Sequence, residues 1–138
     1  MTTSVTPIVV RSTDLDAYGH VNNARYVEYF EWGRFDWLKD TGLETAMQAD
    51  QTAYVVVNVN VAYRAEARRS DELVLTTRLA GIGKSSLRMV QQLKNAAGVV
   101  VAEGEVVLAA FDPITRKGQR LPERHVELLT PQVVASLA

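Results

Sequence analysis

The chain has 138 residues, of which 47% are hydrophobic and 22% charged, and its formal net charge is −1. This length and composition predict one soluble globular domain over residues 1–138. The near-neutral charge argues against nucleic acid as the main partner. The sequence contains no cysteine, which excludes disulfides, thiolate metal sites and cysteine nucleophiles.

Neither a membrane span nor a targeting segment is predicted. No apolar stretch approaches the ~20 residues that are needed to cross a bilayer. Residues 1–7 lack the basic start and the apolar run of a signal peptide. We therefore expect a cytoplasmic protein that does not associate with a membrane.

The first predicted elements are a short strand, a loop and one long helix. Residues 6–12 are rich in β-branched side chains and predict the strand, and residues 13–21 predict the loop. The helix is predicted from residue 22 or 23 to about residue 41, where Gly42 is placed to end it. Six of the ten aromatic residues lie on this helix, so we expect a sheet to bury much of its circumference. Its predicted apolar stripe consists of Val27, Phe30, Arg34 and Leu38, flanked by Tyr26 and Trp37.

Four long strands joined by hairpin turns are predicted after the helix. They comprise residues 53–63, 73–80, 85–94 and 99–111. In the first of these strands Val57, Val59 and Val61 alternate with Asn58 and Asn60. A subunit interface would accommodate the asparagine face better than an apolar core.

The last predicted element is a terminal helix over residues 121–137, disturbed by Pro131. One buried helix followed by four hairpin-connected strands indicates an α+β fold. In this fold an antiparallel sheet curls around the helix.

The most informative segment is residues 14–26, Asp-Leu-Asp-Ala-Tyr-Gly-His-Val-Asn-Asn-Ala-Arg-Tyr. It places a carboxylate, Asp16, just ahead of a glycine and a helix start. A base or nucleophile would there lie beside exposed N–H groups that can hold a developing oxyanion. The alternative is that Asp14, Asn22 and Asn23 are only turn and cap residues.

Other catalytic designs lack their motifs. The sequence has no Gly-x-Ser-x-Gly elbow and no phosphate-binding or dinucleotide-binding glycine motif. His20 with Asp14 and Asp16 could form a metal site, but catalytic metal sites usually have three protein ligands with supporting contacts around them. We therefore predict no metal and no other cofactor.

Residues 14–31 resemble the signature of hot-dog-fold acyl-CoA thioesterases related to 4-hydroxybenzoyl-CoA thioesterase. Residues 53–61, followed by Tyr63 and Arg64, are more similar to the long-chain acyl-CoA thioesterase III type, and the turn at residues 83–86 fits as well. The resemblance covers nearly the whole chain. It implies an antiparallel sheet wrapped around a long central helix, and dimers with active sites at the subunit interface, often paired into tetramers.

The resemblance also implies roles for individual residues. Asp16 matches the catalytic carboxylate of the family, and Gly19 lets the backbone turn towards the ligand. The amide near Asn23 matches the group that polarises the thioester carbonyl. The oxyanion and substrate-binding set then comprises Gly19, His20, Val21, Asn22, Asn23 and Tyr26.

The expected coenzyme A contacts are Lys84, Ser85 and Arg64. Lys84 falls where family members place a basic residue near the phosphates, although a lysine in a turn and an isolated arginine are more often solvated surface charges. Residues 61–94 carry seven basic and three acidic side chains. This basic segment and the aromatic helix together suit a ligand that is apolar at one end and polyanionic at the other.

We therefore expect an acyl-CoA thioesterase, acting on a medium-chain or long-chain substrate, with Asp16 as nucleophile or general base. A non-catalytic acyl-CoA-binding module of the same fold is the main alternative. The substrate could also be an aromatic acyl-CoA or an acyl-carrier protein, because related carrier-protein thioesterases share His-x-Asn-Asn. A dehydratase of this fold is a third possibility, which Glu28 and Glu31 on the helix leave open.

Overall fold

A computed structural model describes residues 3–133, which contain one five-stranded antiparallel sheet. Its strands are β1 (Ser4–Val9), β2 (Ala53–Tyr63), β3 (Glu72–Ile82), β4 (Ser86–Asn95) and β5 (Val100–Phe111). The strand order across the sheet is β1-β3-β4-β5-β2, so that β2 forms an edge. The helices are α1 (Asn23–Thr41), α2 (Leu43–Ala49) and α3 (Glu123–Leu129), and short 3₁₀ turns lie at Ser12–Asp14 and Thr130–Gln132.

The predicted fold class is confirmed, because a long helix packs on one face of an antiparallel sheet. Two helical predictions need correction. Helix α2 was missed because Gly42 signals a helix end. Gly42 does end α1 with φ +81°, but a second helix starts directly after it. The terminal α-helix stops at Leu129 and continues only as a 3₁₀ turn that contains Pro131, because proline cannot donate the helical hydrogen bond. Residues 134–137 lie outside the described residues.

Helix α1 buries most of the predicted stripe but leaves Val27 outside it. Tyr26, Phe30 and Trp37 are at most 4% exposed, whereas Val27 is 37% exposed. The buried stripe is centred on Gly33, and its missing side chain allows the helix to approach the sheet closely. A prediction that counts large apolar residues gives no weight to a glycine. Because Trp32 and Phe35 are also exposed, the helix is covered on one side only within a single chain.

A buried polar network fixes the middle of α1 on the sheet. Gln91 Nε2 donates to the Phe30 carbonyl at 2.8 Å and to Thr77 Oγ1 at 3.0 Å. Arg34 Nη1 donates to Gln91 Oε1 at 3.1 Å, and burial lowers the pKa of this guanidinium. These bonds satisfy polar atoms that would otherwise be costly to bury.

A second polar cluster fastens α3 at one end of the sheet. The fully buried His125 places Nδ1 2.7 Å from the Tyr54 hydroxyl and Nε2 3.0 Å from Asp50 Oδ2. Arg124 also donates to Asp50, and this hydrogen bond holds the pKa of the Asp50 carboxyl below its usual value. The cluster therefore ties the residues after α2, the start of β2 and α3 together.

Strand β2 contains a bulge that the sequence did not predict. Val56 pairs with Leu108 and Asn58 with Val107, so Val57 is the extra residue. Val59 and Val61 share the helix side of the sheet, and Asn58 and Asn60 face the opposite side. The predicted alternation is therefore correct for residues 58–61 and wrong at Val57.

We predict that Gly33→Ala destabilises the protein. Alanine has a higher helix propensity by about 1 kcal/mol. However, a Cβ atom here would lie 2.5 Å from Leu75 Cδ2 and 2.6 Å from Thr77 Oγ1, and overpacking costs about 1–3 kcal/mol. Urea unfolding should give a lower free energy of unfolding for Gly33→Ala than for the parent. For Thr45→Ala, on the exposed surface of α2, the free energy of unfolding should be unchanged or higher. Equal stabilisation by Gly33→Ala and Thr45→Ala would contradict the close approach of α1 to the sheet at Gly33.

Candidate active site

Residues 14–22 form a small closed hairpin that ends at the start of α1. Asn22 N donates to the Asp14 carbonyl at 2.9 Å, and Asp16 N donates to the His20 carbonyl at 3.0 Å. Gly19 N donates to the Asp16 carbonyl at 3.2 Å, and Gly19 has φ +82°. Glycine adopts this left-handed conformation without strain. Gly19 therefore lies in a tight turn, and Asp16 occupies the first position of that turn.

The base of the hairpin is held by a buried carboxylate, that of Asp14. Its Oδ2 accepts hydrogen bonds from the Tyr29 hydroxyl at 2.8 Å and from Arg11 N at 3.0 Å. Arg25 Nε lies 3.9 Å from the other oxygen. Burial and this carboxylate raise the pKa of Tyr29 well above its usual value. Asp14 is thus an acceptor that fixes the hairpin in place.

The N-terminus of α1 is capped by Asn22 and faces the hairpin. Asn22 Oδ1 accepts a hydrogen bond from Ala24 N at 2.9 Å, as expected for an N-cap. Asn23 is the first helical residue, so its N–H has no acceptor within the helix. The Tyr63 hydroxyl donates to the Asn23 carbonyl at 3.0 Å, which links the end of β2 to this first turn.

The Asp16 carboxylate is partly exposed, with 24% of its side-chain surface accessible. Its Oδ1 accepts a hydrogen bond from Tyr18 N at 2.8 Å, and its Oδ2 lies 3.4 Å from His20 Nδ1. The His20 ring stacks on Tyr18, with ring centroids 5.9 Å apart. A carboxylate in this position remains accessible to a water molecule or a substrate carbonyl.

Tyr26 and Val21 form the apolar floor beneath the hairpin. Both are at most 4% exposed, and Val21 N donates to the Ala67 carbonyl at 2.8 Å. Tyr26 packs against Tyr63, with ring centroids 5.3 Å apart. Burial raises the pKa of Tyr26, and the nearby Asp16 charge adds to this increase. Among the predicted site residues, these two therefore act through packing.

The residues expected to bind coenzyme A are not brought together within one chain. Arg64 lies at the hairpin end of the sheet, where Nη2 donates to Glu103 Oε1 at 2.8 Å. Lys84 and Ser85 are exposed in the turn between β3 and β4. That turn lies at the opposite end of β3, about 30 Å away at ~3.3 Å per strand residue. One chain therefore cannot place Asp16 and Lys84 on the same part of a ligand.

Two further observations concern metals and membranes. Among residues 3–133, no group of three or more His, Cys, Asp or Glu side chains could hold a metal ion. In the same part of the chain no helix is long and apolar enough to span a membrane.

Comparison with protein families gives a match over most of the chain. The profile of the family described as the thioesterase-like superfamily matches residues 10–129. The chain belongs to this superfamily. The matched region contains the hairpin, α1 and all strands from β2 to β5.

Individual relatives agree with this assignment. The chain is 39% identical to the long-chain acyl-CoA thioesterase FadM of Escherichia coli K12 over 84% of this chain and 89% of that protein. It is 33% identical to the acyl-CoA thioester hydrolase YbgC of Escherichia coli O6:H1 over 85% and 88% of the two chains. The crystal structure of YbaW, a probable thioesterase from Escherichia coli, superposes with a TM-score of 0.86 at 36% identity. It covers 95% of this chain and 99% of that one.

Sequence reasoning missed two hydroxyl groups that shape the site. It assigned no contact to Tyr29 or Tyr63, whereas each donates a hydrogen bond beside the hairpin. No local pattern could reveal these contacts, because Tyr29 is 15 residues from Asp14 and Tyr63 is 40 residues from Asn23.

Proposed function

We propose that this protein hydrolyses acyl-CoA thioesters to a free acid and coenzyme A. The observation that carries the proposal is the accessible Asp16 carboxylate beside the N-terminus of α1. Relatives at 39% and 33% identity are named an acyl-CoA thioesterase and an acyl-CoA thioester hydrolase. The first is named for long-chain substrates, which favours a medium or long aliphatic acyl group here.

The reaction needs a nucleophile and a site for the oxyanion. The thiol of coenzyme A is similar to that of cysteine, with a pKa of ~8.5, so the thiolate can leave without a general acid. In one route Asp16 removes a proton from water, the resulting hydroxide adds to the thioester carbonyl carbon, and the C–S bond then breaks to release the thiolate. In the other route Asp16 adds directly, the C–S bond breaks, and water then cleaves the mixed anhydride. In both routes the first-turn N–H groups of α1 stabilise the oxyanion.

The alternatives are less well supported by the geometry. A module that only binds a polyanionic ligand gains nothing from an accessible carboxylate at Asp16. A dehydratase would use acid–base groups on the central helix. Glu28 is exposed and paired with Arg25 at 2.9 Å, and Glu31 is also exposed. Hydrolysis therefore fits this arrangement best.

We further propose that two copies pair through the edge strand β2. Val55, Val57 and Val59 on this strand are 47%, 59% and 39% exposed. Soluble proteins usually protect a long apolar edge, because its unpaired backbone groups bind other strands. A second copy of this chain would cover that edge.

Such pairing would also complete the site. Two identical strands related by a twofold axis run antiparallel, so the Tyr63 end of one β2 lies beside the Ala53 end of the other. Lys84 and Ser85 lie at the Ala53 end, because the Ser85 carbonyl accepts a hydrogen bond from Ala110 N, and Ala110 pairs with Tyr54. The partner subunit's Lys84 would therefore approach the end of the sheet that carries Asp16.

The first prediction from this proposal concerns mass. Light scattering at micromolar concentration should give at least twice the 15.3 kDa of one chain. Charge on the edge should disrupt pairing, so Val57→Lys with Val59→Lys should lower the mass and the activity together. A parent protein that scatters as one chain would contradict the pairing.

The second prediction concerns Lys84. If it meets a coenzyme A phosphate, Lys84→Ala should raise KM several-fold with kcat nearly unchanged, since one exposed ion pair contributes about 1 kcal/mol or less. High salt should reduce the difference. Lys39→Ala, which removes an exposed lysine from the last turn of α1, is the matched control. Equal KM values for all three proteins at low ionic strength would make Lys84 a solvated turn residue.

The third prediction concerns Asp16. Asp16→Asn keeps the size of the side chain and the acceptor for Tyr18 N but removes basicity. We expect kcat to fall at least ~100-fold, with little change in KM or thermal stability, in an assay of thiol release. Asp112→Asn is the matched control, because Asp112 Oδ1 accepts Ile114 N at 2.8 Å in a similar turn.

Two results would count against this role. Parental turnover by Asp16→Asn would favour the binding module. An Asp16→Asn protein that does not fold would show that the carboxylate is structural.

A further inference from the structure

We propose that Tyr29 is a positioning residue for hydrolysis, because its hydroxyl holds the Asp16 hairpin against α1 through Asp14. This inference rests on the proposed function of Asp16. It concerns a residue that does not touch the substrate. Its effect is therefore expected on the chemical step and not on substrate binding.

Asp14 connects the helix to the hairpin through two hydrogen bonds. Tyr29 is fully buried, and its hydroxyl donates to Asp14 Oδ2 at 2.8 Å. The main-chain carbonyl of Asp14 accepts Asn22 N at 2.9 Å, so the same residue also closes the hairpin next to the N-cap. One hydrogen bond therefore joins Asp14 to the interior of α1, and the other joins it to the N-cap of α1.

Asp16 itself has few restraints of its own. The hydrogen bond from Tyr18 N and the contact with His20 are both formed within the hairpin. They fix the side chain relative to the hairpin but not relative to the helix. Because Asp16 follows Asp14 by two residues, with Leu15 extended between them, the hairpin base sets how far the carboxylate lies from the oxyanion site. A displacement of ~1 Å in such an arrangement can reduce the rate about 100-fold.

The hydroxyl of Tyr29 can be removed without removing its ring. The ring contacts Tyr26 and Trp32, with centroid distances of 6.1 and 5.3 Å, and phenylalanine keeps both contacts. In Tyr29→Phe, Asp14 retains only Arg11 N on Oδ2, with Arg25 3.9 Å from Oδ1. The buried carboxylate then loses its short hydrogen bond to the interior of α1. It is expected to move towards Arg25 in the first turn of the helix and to take the hairpin with it.

The test compares Tyr29→Phe with Thr6→Val. Both changes remove a buried hydroxyl that donates to a carboxylate, but Thr6 lies on β1, at the sheet edge opposite β2, and its hydroxyl donates to Asp36 Oδ2 at 2.6 Å. Both variants should lose a few degrees of Tm. At temperatures below the Tm of each variant, Tyr29→Phe should lower kcat at least ~10-fold with KM within twofold of the parent, whereas Thr6→Val should keep the parental kcat.

A second comparison asks whether Tyr29 acts through Asp16. If it does, the double variant Asp16→Asn with Tyr29→Phe should be no slower than Asp16→Asn alone. The position of residue 16 no longer affects the rate once its basicity has been removed. Additive losses would overturn the inference. So would a parental kcat in Tyr29→Phe, or a Tyr29→Phe protein that circular dichroism shows to be unfolded. Parental activity in Asp16→Asn, by contrast, would overturn the proposed function itself.

Discussion

The buried carboxylate of Asp14 is the interaction on which the arrangement of the site depends. A charged group this far from solvent is stable only when it is hydrogen-bonded. Tyr29 and Arg11 N supply these bonds, one from α1 and the other from the chain just before the hairpin. The hairpin therefore cannot leave the helix without exposing an unpaired charge, and Asp16 stays beside the first turn of α1.

The position of the hairpin also depends on contacts in the core. Helix α1 can position the hairpin only because it is itself fixed on the sheet. Gly33 allows the close approach, and Gln91 bonds the Phe30 carbonyl and Thr77 underneath. Packing and polar contacts thus act together. The sheet holds the helix, the helix holds the hairpin, and the hairpin presents the carboxylate.

The sequence was sufficient for the motif and for most of the fold. Asn22 and Gly42 cap α1 as their residue types predict, and the long strands have nearly the predicted bounds. The errors have tertiary causes. The buried stripe of α1 includes Gly33 and leaves out Val27, and a bulge at Val57 breaks the alternation in β2.

The contacts of the site were less predictable than the site residues. The hydrogen bond between Tyr29 and Asp14 joins residues with no shared periodicity. The separation of Lys84 from Asp16 depends on which end of β3 each lies near. Contacts of this kind are determined by the register of the sheet and by the pairing of chains. A local sequence pattern predicts neither of these.

Measuring thiol release from a panel of substrates is the direct test of whether this site hydrolyses acyl-CoA. The purified protein would be assayed with aliphatic acyl-CoAs of increasing length and with aromatic acyl-CoAs. We expect multiple turnovers with release of free coenzyme A, fastest for medium or long aliphatic chains. Binding of these substrates without thiol release from any of them would contradict this expectation.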